Sequence, residues 1–406
     1  MAYKTIEGGV TAAEGFQAAG LHCGIRRNQS KPDLALVYSR VPCTAAAVYT
    51  QNLVKGAPIA VTRRNLADGT AQAVICNSGN ANTCNADGEE KAQKMCDCIA
   101  QELGISPSNV IVASTGVIGQ VLPIEPIIEH APQLAASLSE SGSLDAARAI
   151  MTTDLVPKEA AVELTLGGKT VRIGGIAKGS GMICPNMATM LAFLTTDATI
   201  SSQMLDAALH EAVAESFNMI SVDGDTSTND MVSIMASGLA EAPSITEKNA
   251  DYEEFCRALT ELCVTLARKM ARDGEGASKL LECRVQGARS KEDARKIAKS
   301  VICSSLFKAA MFGADANWGR VLCAVGYSGA DVNVELVDVA FISKMGRIQV
   351  CLNGAGVPFS EEEAKRILSE PEIIVLITLH EGDAQAQAYG CDLTYDYVKI
   401  NGDYRS

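Results

Sequence analysis

The stretch from Lys178 to Asp197 carries the residues best suited to chemistry. Lys178-Gly179-Ser180-Gly181-Met182-Ile183-Cys184-Pro185 is rich in glycine and ends on a proline, and the run from Met190 to Leu194 is apolar and strand-like. Thr189 stands at the join, directly after Ala188. A threonine hydroxyl is a poor nucleophile until a base takes its proton, and a free backbone amine on the same residue can be that base. The amine exists only if the chain breaks between Ala188 and Thr189. The Thr189 hydroxyl would attack the Ala188 carbonyl, and water would cleave the resulting ester. A glycine-rich loop tolerates the strained backbone this requires. On spacing alone an ordinary strand threonine is the simpler reading, since threonine is common in apolar strands.

The elements that must position this stretch are legible on both sides of it. Leu34–Ser39, Ala45–Thr50 and Ala73–Cys76 read as buried strands, the last running into the polar turn Asn77-Ser78-Gly79-Asn80-Ala81-Asn82. A helix is predicted over about Glu89–Leu103, with Ala92, Met95, Cys96, Ile99 and Leu103 on one face. The strand Asn109–Ala113 runs into Ser114-Thr115-Gly116-Val117-Ile118-Gly119. Backbone N–H groups exposed where a strand meets a glycine turn can hold a developing oxyanion. Met151-Thr152-Thr153-Asp154 precedes a hairpin, Ala161–Leu166 and Thr170–Ile173 around Gly167-Gly168. Helices follow from Ser201 or Ser202 to about Phe217, over about Asp251–Arg272, and over about Lys291–Phe312. The second of these ends at Asp273-Gly274-Glu275-Gly276, a carboxylate in a glycine loop. Ser360-Glu361-Glu362-Glu363 is a capping box. Residues 283–392 alternate strands and helices and read as a smaller α+β domain, and Leu393–Ile400 reads as a tail strand.

Composition bounds the rest. The chain has 406 residues, enough for two or three structural units around a large core. With 47% hydrophobic and 20% charged residues it is globular, and a net charge of −13 argues against binding a phosphate backbone. No apolar run approaches a membrane span and the N-terminus has no signal-peptide core, which together point to the cytoplasm. The 14 cysteines form no C-x-x-C pair and the four histidines are isolated. No metal site is expected, and most cysteines read as small buried hydrophobes in a reducing compartment. Gly168-Lys169-Thr170 and Gly179-Ser180-Gly181 fail the phosphate-loop and dinucleotide patterns, because Glu163 and Cys184 stand where glycines are needed. The acidic loop Asn218–Asp230 lacks the ligand spacing of a calcium loop. A serine-hydrolase elbow is absent, since Gly326-Tyr327-Ser328-Gly329-Ala330 lacks the last glycine.

The run from Lys178 to Asp197 resembles the cleavage-and-nucleophile segment of the ornithine acetyltransferase family, also called the glutamate N-acetyltransferases of arginine biosynthesis. Thr115-Gly116, the Asn77–Asn82 segment, Gly274-Glu275-Gly276 and the tail Asn401-Gly402-Asp403-Tyr404-Arg405-Ser406 match it in order, so the resemblance is essentially end to end. Cys184 stands where alanine is expected, and Ser406 where threonine is more usual. The resemblance implies a layered α-β-β-α self-cleaving core of the N-terminal-nucleophile type. Cleavage between Ala188 and Thr189 would give an alpha chain, 1–188, and a beta chain, 189–406, with residues 393–406 returning to the active site. It implies that Thr189 is the acetyl-carrying nucleophile and that Thr115 and Gly116 form the oxyanion hole. Thr152, Lys178, Thr189, Glu275, Asn401 and Ser406 would bind substrate. The implied reaction moves the acetyl group of N2-acetylornithine to glutamate without a cofactor, with acetyl-CoA as a conceivable second donor. The implied assembly is a heterotetramer of two alpha and two beta chains. The alternatives are a self-cleaving amidase or aminopeptidase that passes the acyl group to water, and a non-enzymatic binding protein.

Overall fold

The structure is a computed structural model, and it describes residues 3–184 and 190–402. Its strands in chain order are β1 (Tyr3–Ile6), β2 (Phe16–Leu21), β3 (Leu34–Tyr49), β4 (Thr70–Asn80), β5 (Val110–Val117), β6 (Lys158–Leu166), β7 (Lys169–Lys178), β8 (Leu191–Thr196), β9 (Ile220–Ser221), β10 (Met231–Ala236), β11 (Leu280–Ala288), β12 (Asp338–Ser343), β13 (Gly346–Leu352), β14 (Ala355–Gly356), β15 (Glu372–Thr378) and β16 (Ala384–Cys391). The helices are α1 (Ala57–Asn65), α2 (Gly88–Leu103), α3 (Glu125–Ala136), α4 (Ser143–Ala149), α5 (Ser202–Glu215), α6 (Ala250–Arg272), α7 (Lys291–Cys303), α8 (Ser305–Phe312), α9 (Trp318–Gly326), α10 (Glu361–Leu368) and α11 (Tyr395–Gly402).

The first sheet has the order β1-β6-β7-β8-β10-β3-β4-β5, with β2 also paired to β3. Side chains alternate between the faces of a strand, and here the alternation separates three cores. In β4, Ala73 and Ile75 face one core while Val74 and Cys76 face another; in β5, Val110 and Val112 part from Ile111 and Ala113 in the same way. The outer core on this side is closed by Met95, Cys96 and Ile99 of α2 and Ile127 and Leu134 of α3. In β8, Leu191 and Phe193 join Val74 and Ile111 in the middle, whereas Ala192 and Leu194 turn to the opposite outer core with Leu209 of α5 and Leu262 and Leu266 of α6. Two β layers thus share an inner core, and each carries helices on its outside. This is the expected α-β-β-α arrangement.

Strand β3 makes the two layers one sheet. The sequence reads as two strands there, but the structure has one strand of 16 residues that slips register between Tyr38 and Cys43. Its first half pairs with β2 and β4, and Thr44–Tyr49 pair with β10. Such an irregularity bends a strand, and this one lets it pass from one layer to the other.

The second sheet has the order β14-β13-β12-β15-β11-β16-β9. One face is buried under α7, α9 and α10, through Ile297, Val301, Val325 and Ile367 against Cys283, Val285, Val375 and Ile377. Two expectations fail in this half. The helix expected over Lys291–Phe312 breaks at Ser304, whose extended backbone ends α7 and whose Oγ accepts from Phe307 N at 3.2 Å to cap α8. The expected tail strand Leu393–Ile400 is instead α11. Its alternating aromatic and β-branched residues suit a strand, but tertiary contacts decide. Tyr397 Oη donates to Asp223 at 3.2 Å, and the Tyr395 ring meets Phe312 edge-on at 5.6 Å. Among the described residues no two cysteines form a disulfide; nine are buried, while Cys84 and Cys323 are exposed. Among the described residues no helix is long and apolar enough to cross a membrane.

Candidate active site

Strand β5 runs parallel to β4, and its end delivers Thr115 and Gly116 beside Ser78 and Gly79. At Gly116 φ is +135°, and a Cβ there would meet the Gly79 carbonyl carbon at 2.4 Å and Asn80 N at 2.6 Å. Only glycine fits so close an approach of two backbones. The asparagine-rich run is not a surface turn. Strand β4 continues through Asn80, and Asn77, Asn80 and Asn82 are buried. Ser114 Oγ donates to Asn77 Oδ1 at 2.6 Å, Asn77 Nδ2 to Asn80 O at 2.9 Å, and Asn82 N to Asn80 Oδ1 at 2.8 Å. Asn229 fastens the same strand ends from the opposite layer, its Nδ2 donating to Ala81 O at 2.5 Å and Ser114 O at 2.9 Å. These bonds hold the Thr115-Gly116 backbone in place.

Lys178 ends β7, is 8% exposed, and donates from Nζ to Thr115 Oγ1 at 3.2 Å. Burial pulls its pKa below the ordinary lysine value; Asp154 opposes that pull and the nearby Lys158 ammonium adds to it. Beneath it lies a dry ion network. Lys158 Nζ donates to Asp154 Oδ1 and to Asp273 Oδ2, both at 2.6 Å. Asp154 also accepts from Thr152 N at 2.9 Å and Gly179 N at 2.7 Å, and Asp273 from Leu155 N at 3.0 Å. Burial alone would raise the Asp154 pKa, but the ammonium groups of Lys158 and Lys178 and the donated hydrogen bonds hold it well below the usual carboxylate range. The network therefore pins three segments together: the one bearing Thr152, the end of β7, and the turn after α6.

That turn presents Glu275. Ser180 Oγ donates to Asp273 O at 2.7 Å, and Glu275 N donates to Ser180 O at 3.0 Å. A Cβ on Gly181 would lie 2.4 Å from the Glu275 carboxylate, so this glycine makes room for it. Asn401 of α11 donates from Nδ2 to Glu275 Oε2 at 2.6 Å. On the other side, Asp223 accepts from Met182 N at 2.6 Å and Ile183 N at 2.8 Å, which tethers the glycine-rich loop to the acidic Asn218–Asp230 loop.

The structure brings Thr115, Gly116, Thr152, Lys178, Glu275 and Asn401 around one cavity of about 130 Å³. Met190, at the start of the apolar strand, also lines it. Ala188, Thr189 and Ser406 lie outside the described residues. The cavity sets a cation beside the strand-end turn and an anion on the loop after α6. An amino acid carries the complementary groups. Sequence reasoning missed Asp154, Lys158, Asp273, Asn229 and Asp230. The i, i+4 spacing of Asp154 and Lys158 was a signal for the first pair; nothing local marks the others. Among the described residues no cluster of histidine, cysteine and carboxylate side chains could hold a metal.

Comparison with known proteins gives a consistent result. The ArgJ family model matches residues 17–406. The arginine biosynthesis bifunctional protein ArgJ of Symbiobacterium thermophilum is 53% identical over 403 residues, covering 99% of each chain. ArgJ 1 of Clostridium acetobutylicum is 49% identical over 398 residues, covering 98% of this chain and 97% of its own. A crystal structure of ArgJ from Bacillus halodurans aligns with 52% of this chain and 97% of its own, at 48% identity and a TM-score of 0.49. By the span of the family model and the identity of the two curated relatives, the chain belongs to the ArgJ family.

Proposed function

We propose that this chain transfers the acetyl group of N2-acetylornithine to glutamate, through an acetyl ester on Thr189, after cutting itself between Ala188 and Thr189. The observation that carries the reading is the single cavity shared by Thr115-Gly116, Lys178 and the Glu275–Asn401 pair. In the first half-reaction the Thr189 hydroxyl attacks the acetyl carbonyl and the Thr189 amine takes the hydroxyl proton. The Oγ–C bond forms as the C–N bond to ornithine breaks, and the departing amine takes that proton. Glutamate then attacks the ester through its amine, and the hydroxyl is restored. The Gly116 backbone and the Thr115 hydroxyl face the developing oxyanion.

Lys178 suits the substrate carboxylate, and its charge would also lower the pKa of the Thr189 amine towards that of a useful base. Glu275 suits the side-chain amine of ornithine, while Thr152, Asn401 and Ser406 complete the binding set. Two ArgJ relatives carry the word bifunctional in their names, which supports acetyl-CoA as a second donor to glutamate. The reading requires no metal or redox cofactor. Residues 1–188 and 189–406 then form alpha and beta chains that pair into a heterotetramer in the cytoplasm.

The test is intact mass together with donor assays. The purified protein is expected as two polypeptides, one beginning at Thr189, and Thr189→Ala as one uncut, inactive chain. A Thr189→Ala protein that still splits there refutes the assignment. Free acetate released from N-acetylornithine at the same rate with and without glutamate would make the protein an amidase instead.

A further inference from the structure

Two cysteines with no part in the chemistry above meet beside the glycine-rich loop. Cys184 lies two residues beyond Met182, and Cys303 is the last residue of α7. Both are half-buried, and their Sγ atoms are 3.8 Å apart. Two anchors on one loop fix this contact. Thr226 Oγ1 donates to Cys184 O at 2.9 Å, Val222 N donates to Ile183 O at 2.6 Å, and Met182 N and Ile183 N donate to Asp223. Helix α7 grips the start of the same acidic loop one turn before Cys303, where Lys299 Nζ donates to Asn218 O at 2.9 Å and Ile220 O at 2.6 Å. A disulfide has an S–S length of about 2.05 Å, so the sulfurs need to close by less than about 2 Å. Rotation of the two side chains about their Cα–Cβ bonds can supply that.

The charge around the pair favours reaction, because the thiolate is the nucleophile of cysteine chemistry. The hydrogen bond from the Cys303 thiol lowers the Cys184 pKa; burial opposes it, the Lys299 ammonium adds to it, and Asp223 is a smaller opponent. The same bond, together with burial, raises the pKa of Cys303. One proton is thus shared between two sulfurs, with the negative charge on Cys184.

We propose that Cys184 and Cys303 are a peroxide-sensitive thiol pair, whose oxidation to a disulfide ties the glycine-rich loop to α7 and slows acetyl transfer. The Cys184 thiolate attacks one oxygen of hydrogen peroxide: the S–O bond forms, the O–O bond breaks and hydroxide leaves. The Cys303 sulfur then attacks the Cys184 sulfur: the S–S bond forms, the S–O bond breaks, and the departing hydroxide takes the Cys303 proton to become water. The sulfurs give up two electrons and the peroxide gains them. A thiol reductant reverses the bridge by exchange. The bridge reaches the site through Gly181 and Met182, which line the cavity just before Cys184. A displacement of about 1 Å at a catalytic site can cost on the order of 10² in rate. The effect on turnover rests on the acetyl-transfer reading. In a chain cut before Thr189 the two cysteines belong to different pieces, so the bridge also joins residues 1–188 to 189–406.

The experiment treats the reduced, full-length protein with one equivalent of hydrogen peroxide. Peptide mapping without reductant should find Cys184 joined to Cys303, ahead of any change at the exposed Cys84 and Cys323. Turnover should fall about ten-fold and return with dithiothreitol. Cys184→Ala should match the reduced wild type before and after peroxide, which also shows that the variant is folded. In Cys303→Ala the sulfenic acid has no resolving thiol, so dimedone should label Cys184. No joined peptide, a bridged enzyme of unchanged turnover, a Cys184→Ala protein inhibited as strongly as wild type, or an unlabelled Cys184 in Cys303→Ala each overturns the proposal. A reduced protein that transfers no acetyl overturns the reaction instead, and a reduced mass of one uncut chain overturns the cleavage; mapping reports the bridge in either case.

Discussion

Replacing Lys158 by methionine is the sharpest probe of how the cavity is held. Methionine keeps the apolar stem and most of the length, and removes the ammonium that bridges Asp154 and Asp273 at 2.6 Å each. The three side chains are 0%, 0% and 5% exposed, so water does not replace the lost partner. Stripping one member from a buried ion pair costs about 3–5 kcal/mol. Here two carboxylates lose it, but neither is left bare. Asp154 keeps Thr152 N, Gly179 N and the field of Lys178, and Asp273 keeps Leu155 N. The loss should therefore lie near the single-pair value rather than twice it. Against a total stability of about 5–15 kcal/mol, that is a third or more in most cases. Urea unfolding in the uncut Thr189→Ala background at one fixed protein concentration is the assay, since the two halves then stay covalently joined. The triple variant Asp154→Asn, Lys158→Met, Asp273→Asn should recover more than half of the loss, because neither carboxylate is left buried without its ammonium. A Lys158→Met protein destabilised by less than about 1 kcal/mol would show that the carboxylates do not depend on the bridge, and the reasoning would fail.

Three further outcomes are expected. Gly116→Ala must move backbone by at least half an ångström, since its Cβ would lie 2.4 Å from Gly79; kcat should fall about 10²-fold with the fold intact by circular dichroism, and wild-type turnover would remove Gly116 from the oxyanion site. Asn401→Ala deletes the 2.6 Å bond to Glu275; KM for the acetylated donor should rise about ten-fold, and an unchanged KM would detach the tail helix from substrate binding. Asp154 has a depressed folded-state pKa, so its contribution is present above the unfolded carboxylate pKa of about 4 and is lost as pH falls below it. Asp154→Asn should therefore flatten the acid side of the stability profile measured by urea titration, and a slope as steep as that of the parent would contradict the assignment.

Local pattern and long-range packing contributed differently to what could be read from the chain. The faces of α2 and α6 and the β6–β7 hairpin follow from periodicity and a two-residue glycine turn, and the structure has them where the sequence places them. The bend in β3 was invisible because its cause is non-local: the strand must serve two layers at once. The tail was misread because Tyr395, Tyr397 and Val398 have strand preferences, whereas docking near Gly276 and Glu275 decides for a helix. A Cβ at Gly276 would lie 2.8 Å from both Asp396 Cβ and Tyr397 N, so the helix rests directly on that glycine. Thr115, Lys178 and Glu275 could be named through resemblance to a family, but their convergence could not be derived from spacings of 63 and 97 residues. The ion network that aligns them left only the Asp154–Lys158 spacing as a trace, because Asp273 arrives from the far end of α6.

The strand order of the first sheet bears on what happens to the two halves once they are severed. Strands β8 and β10, which follow position 189, lie between β7 on one side and β3 on the other, both of which precede it. A nick between 188 and 189 would leave the downstream piece wedged inside the upstream one, its two strands laddered on both flanks over Leu191–Thr196 and Met231–Ala236. Separating the pieces would tear open a sheet in two places and bare four raw edges. Such a scission would therefore be an internal edit rather than a parting, with each piece the other's permanent scaffold.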